Sequence, residues 1–117
     1  FLLRVEPALV TDRWALLALA GPGSAAVLVA GGLPAPEGHW QVTPAAGGWV
    51  RRAPDLGDGV AQFDLLVDRA EAARVAGALL AAGATAAGAD AFEALRVAAR
   101  RPRAGVDTDH RTIPNEL

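Results

Sequence analysis

A chain of 117 residues suits one domain, and its 52% hydrophobic content is so rich in alanine that only a thin core is expected, held by a few Leu, Val, Phe and Trp. Eleven basic against thirteen acidic residues give a net charge of -2, which supplies no global field for nucleic acid or an anionic membrane, so neither is expected as a direct partner. Without cysteine there is no thiol catalysis, thiolate metal site or disulfide, and every basic residue is Arg, which excludes a Walker lysine and Schiff-base chemistry.

Residues 5–10 read as a short N-terminal strand interrupted by Pro7. The run from Trp14 to Ala20 is apolar on both faces, as expected of a central strand or of one covered by a partner domain. Gly21-Pro22-Gly23 predicts a turn, and residues 24–30 a short helix stopped by Gly31-Gly32. The Pro- and Gly-rich stretch 33–48 predicts a long connection with a strand around 39–42. Residues 49–52 and 60–67 predict two strands joined by a turn over 54–59. In the second, Ala61, Phe63, Leu65 and Val67 alternate with Gln62 and Asp64, the pattern of a half-buried strand.

Asp68 sits at an N-cap position with Glu71 as its capping-box partner, and Ala72, Val75, Ala76 and Leu79 follow at helical spacing until Gly83. Residues 84–87 predict one more strand. Asp90 and Glu93 repeat the capping signature before Phe92, Leu95 and Ala99 line a helical face. The succession implies an α+β fold, a ferredoxin-like βαββαβ domain with an extra N-terminal strand and a C-terminal helix. No apolar run reaches membrane-spanning length, so a soluble protein is expected. With no initiating methionine or charged leader before Phe1, the chain reads as a cut fragment.

Arg100, Arg101, Arg103 and Arg111, set around Asp107 and Asp109, form the one dense charge constellation in the sequence. Guanidinium forks at such a place recognise carboxylate or phosphate. The alternative, which is preferred, is that they complement a helix C-terminus and pair with the nearby aspartates. Asp107-Thr108-Asp109-His110 is read as an Asp-stabilised turn rather than a metal site, because the remaining histidine, His39, is remote in sequence. Gly21-Pro22-Gly23-Ser24 is read as a tight turn rather than an anion cradle, Ser24 has no base partner, and Trp14, Trp40 and Trp49 are read as core, with Trp40 in the most open segment for stacking a flat ligand. Pro102 and Gly105 are expected to set the exit of the last helix.

From Leu95-Arg96 through Pro102, Gly105 and Asp107 to Ile113-Pro114-Asn115-Glu116 the chain carries the pattern LR-x-x-x-x-x-P-x-x-G-x-D followed by an Ile-Pro-x-Glu turn. This pattern resembles the YgfZ-type folate-binding proteins, relatives of the aminomethyltransferase (T-protein) of the glycine cleavage system. The strand ending at Gly21-Pro22, the region 57–67 and Gly83-Ala84 also fit. The resemblance implies the middle of a clover-leaf of domains around a folate pocket, with 1–117 as a middle domain truncated at both ends and 101–117 as a charged loop leading to the next domain. It implies tetrahydrofolate as ligand, no metal, and Arg96, Arg103, Asp107, Asp109, Arg111 and Glu116 as folate-site residues. Where the transferase has LR-x-E this chain has Ala98, so the YgfZ branch is preferred, which implies a cytoplasmic, non-catalytic accessory role supporting iron-sulfur proteins and tRNA modification. The family's Lys-Gly-Cys signature is expected beyond Leu117. A ligand-free ferredoxin-like interaction or regulatory module and an aminomethyltransferase remain as alternatives.

Overall fold

The computed structural model describes residues 4–113, which form an α+β unit. In chain order these are β1 (Trp14–Ala20), α1 (Ser24–Ala30), β2 (Val42–Ala45), β3 (Gly48–Ala53), β4 (Gln62–Asp68), a 3-10 turn (Arg69–Glu71), α2 (Ala72–Ala81) and α3 (Ala89–Ala98). The strands make one antiparallel sheet in the order β1-β4-β3-β2. Between β2 and β3 the chain reverses through Ala46 and Gly47, both at positive φ (51° and 75°), the geometry whose twist matches the flanking strands. Gly48 follows because a Cβ there would lie 1.9 Å from the Leu66 carbonyl oxygen.

One sheet face makes the core. Leu17 and Leu19 of β1, Phe63, Leu65 and Val67 of β4 and Val50 of β3 pack against Leu28 of α1 and Val75 and Leu79 of α2. Each large side chain buried there contributes roughly 1.5–3 kcal/mol, so this small set carries most of the fold, as the alanine-rich composition implied. On the other face the register aligns Trp14, Leu16, Ala18 and Ala20 of β1 with Asp68, Leu66, Asp64 and Gln62 of β4.

The helix over 24–30, the β1 span, the β3–β4 pair and the 3.6-residue pattern of α2 follow the sequence reading, whereas the element order becomes βαβββαα rather than βαββαβ. Residues 5–10 form no strand: Pro7 removes an amide donor and Leu9 is 94% exposed. Residues 84–87 form none either, because Ala-Thr-Ala-Ala between Gly83 and Gly88 offers almost no side chain to pack on a pleated surface. Without that strand β1 is a sheet edge, not a central strand, and Leu16 is 65% exposed. The strand expected at 39–42 forms later, at 42–45.

Asp68 caps as expected, its Oδ1 accepting the Ala70 amide at 2.9 Å, but Glu71 pairs with Arg74 instead of closing a capping box. Gly88, not Asp90, caps α3, and Glu93 is used elsewhere. Gln62 and Asp64, read as the solvent side of β4, are buried.

Candidate functional site: a guanidinium clasp at the exit of α3

Helix α3 ends by sequence-local chemistry. Arg100 sits at φ 54°, its amide donating to the Val97 carbonyl, while the Arg101 amide donates to the Arg96 carbonyl. This is a Schellman closure, with an arginine where glycine is usual. The chain therefore leaves the helix before Pro102, and Gly105 at φ 78° turns it back, with the Asp107 amide donating to the Arg103 carbonyl.

That reversal brings the motif residues together around the Arg96 guanidinium. Arg96 Nε and Nη2 donate to Glu93 Oε2 at 3.0 and 2.8 Å, and Nη1 donates to the Arg101 carbonyl at 2.5 Å and to Asp107 Oδ2 at 2.6 Å. Asp107 Oδ2 also accepts the Arg103 amide at 2.8 Å, and Arg103 Nη1 donates to Glu93 Oε1 at 3.0 Å. Two cations and two carboxylates thus close a ring, which sets their titration. The hydrogen bond from Arg96 holds the Glu93 carboxyl below its ordinary value, and the Arg103 amide followed by Arg96 does the same for Asp107. The bond to Glu93 raises Arg96 in turn.

Of the residues expected to line a folate site, Arg96, Arg103 and Asp107 meet in this clasp and face one another. Asp109 stands apart, its Oδ1 accepting the Arg111 amide and the Thr112 hydroxyl, so it stabilises its own turn as the Asp-rich loop predicted. The Arg111 guanidinium is exposed and has no partner among the described residues, and Glu116 lies outside them. Among the described residues no group of three or more His, Asp and Glu is placed to hold a metal ion. Comparison with known protein families, characterised proteins and solved structures finds no match to this chain.

Two further features are not visible in the sequence. Arg101 reaches back across the sheet, Nη1 donating to Gln62 Oε1 at 2.8 Å and Nη2 to the Pro54 and Asp55 carbonyls, while Gln62 Nε2 donates to Asp64 Oδ1 at 2.8 Å and Asp64 Oδ2 accepts Arg51 at 2.6 Å. This relay explains why the polar face of β4 is buried and ties the α3 exit to the sheet. No periodic pattern announces it, since its members come from three separate stretches. The second feature is an open groove of about 450 Å³ between β1, α2, the 84–89 segment and α3, lined by apolar side chains including Leu17, Leu79, Leu80, Phe92 and Leu95. The apolar reading of β1 and the α3 stripe named these side chains but not their convergence. No helix is long and apolar enough to cross a membrane among the described residues.

Proposed function

We propose that the chain is one leaf of a clover-leaf, folate-binding accessory protein of the YgfZ type, a non-catalytic, cytoplasmic support of iron-sulfur proteins and tRNA modification. The observation that carries this reading is the clasp itself. The separated letters of the motif, Arg96, Gly105 and Asp107, serve a single closed turn in which Arg96 bonds Asp107 at 2.6 Å and Gly105 takes φ 78°. A pattern whose residues depend on one another in space is better support for kinship than scattered identities.

The clasp also divides the labour among the expected site residues. Arg96 spends its Nε, Nη1 and Nη2 on Glu93, Asp107 and the Arg101 carbonyl, so its role is to position the loop. Arg111, exposed and unpaired among the described residues, is the guanidinium offered to the carboxylates of a folate tail. A wall of this kind encloses little of a ligand, and ligand sites bury about 70–90% of the ligand surface, so weak binding to this chain by itself is expected.

Titrating the isotope-labelled chain with tetrahydrofolate up to about 1 mM, the range of a weak site, tests this by amide shifts. Saturable shifts clustered at 103–113, lost in Arg111→Ala, are expected. No shift in that segment, or shifts indifferent to Arg111→Ala, removes the folate reading. The ligand-free interaction module is the second reading, favoured by the open apolar groove beside the edge strand β1. Aminomethyl transfer remains the least supported, because Ala98 stands where the transferase acid belongs.

A further inference from the structure

Trp40 is held in a conformation that costs energy and returns no burial. Its φ is 66°, a region that bulky side chains avoid, and it is 62% exposed. The turn around it is over-determined. Gln41 Oε1 accepts the Glu37 and Gly38 amides at 3.1 and 3.0 Å, the Trp40 amide donates to the Arg52 carbonyl at 2.7 Å, and the Arg52 amide donates to the Gln41 carbonyl at 3.0 Å. Glycine or asparagine would meet the backbone requirement more cheaply, so what the position gains from tryptophan is an indole presented to solvent.

That indole belongs to a fixed constellation. The Arg51 guanidinium carbon lies 5.5 Å from the Trp40 ring centroid and 5.7 Å from that of Trp49. Asp64 locks the guanidinium by accepting Nε at 3.2 Å and Nη2 at 2.6 Å, and Gln62 steadies Asp64 in turn at 2.8 Å. Arg51 Nη1 and the indole N–H groups of Trp40 and Trp49 have no hydrogen-bond partner among the described residues. The cluster therefore offers aromatic faces and spare donors. Asp64 is committed to Arg51 and Asp55 to Arg52, so neither of these two cations is left free to draw a polyanion.

We propose that Trp40, Trp49 and Arg51 form a docking site for a proline-rich segment of a partner protein in the polyproline II conformation. Such a segment brings flat, uncharged rings to stack on indole and backbone carbonyls to accept from Arg51 Nη1 and the indole N–H groups. Its prolines carry no amide N–H that would demand an acceptor the site lacks, and its extended shape is largely pre-formed. This site lies on the sheet, joined to the α3 exit only through Asp64, Gln62 and Arg101, and does not depend on the folate reading.

The test is a titration of the 117-residue chain with a capped oligoproline peptide, followed by tryptophan fluorescence and by the indole N–H signals, with oligothymidine and a Gly-Ser peptide as controls. Saturable change of the Trp40 and Trp49 signals with a dissociation constant of about 1 mM or tighter is expected, together with at least about tenfold weakening in Trp40→Gly and Trp40→Asn. Both variants keep or raise the melting temperature, because each relieves the positive φ. The proposal is overturned by no saturable response to oligoproline, by binding that survives both substitutions, by tighter binding of oligothymidine, or by loss of the fold in both variants, which would make the indole a structural element.

Discussion

Arg96 Nη1 donates to Asp107 Oδ2 at 2.6 Å across eleven residues of chain, folding the segment after α3 back onto the helix it has just left. The Arg96 side chain is 11% exposed, so its bonds are sheltered from the solvent that weakens most surface pairs.

Replacing Arg96 with methionine keeps the stem but removes the donor of Glu93 Oε2 and of the Arg101 carbonyl and leaves Asp107 Oδ2 with the Arg103 amide alone. Arg96→Met is expected to lower the urea unfolding midpoint clearly more than Arg103→Ala, whose guanidinium is bonded to Glu93 alone and is half exposed. Equal midpoints for the two variants contradict a clasp centred on Arg96.

Acid should open the same clasp. Glu93 and Asp107 are held below their ordinary values of 4.5 and 3.8, so near those values the unfolded chain binds more protons than the folded one. Their stabilisation is complete above about pH 5 and is lost as the pH falls through the lower folded values. Asp107→Asn should flatten the dependence of the unfolding midpoint on pH below about 4.5. An unchanged slope argues against the pairing.

Arg100 closes α3 in the left-handed region at φ 54°, where a side chain pays a steric penalty that glycine escapes. After allowance for the greater freedom of glycine in the unfolded chain, Arg100→Gly should stabilise by about 0.5–1 kcal/mol. Chemical denaturation decides this, and a loss of stability would mean that the guanidinium has a partner that outweighs the strain.

Gly48 admits no side chain, since an added Cβ would sit 1.9 Å from the Leu66 carbonyl oxygen and 3.1 Å from the Trp14 ring. The obstacle is backbone of the central strand, which cannot swing aside. Gly48→Ala should cost about 2–3 kcal/mol through displacement of β3 from β4, whereas Gly77→Ala, with open space around it in α2, should be neutral or slightly stabilising. Equal effects in thermal melts would show that the β3–β4 spacing yields more readily than its geometry implies.

What is written in local order is legible in the sequence alone. Trp14–Ala20 as a strand, Ser24–Ala30 as a helix after Gly-Pro-Gly, the alternation that buries Phe63, Leu65 and Val67, the Asp68 cap and the positive φ of Gly105 each depend on neighbours a few residues away. Tertiary structure decided which strands met and which charges were spent. The small side chains of 84–87 are written in the sequence, but only the folded chain shows that without a strand there β1 is left at the edge with a groove beside it. Gln62 and Asp64 look like a solvent face until Arg51 and Arg101 arrive from distant stretches to cover them. The arginines at the end of α3 and after it were visible as charge, but whether each faces a ligand or a carboxylate depends on the direction of the turn at Arg100 and Gly105, which only the folded chain fixes: Arg96 and Arg103 turn inward to Glu93, and Arg111 is left facing solvent.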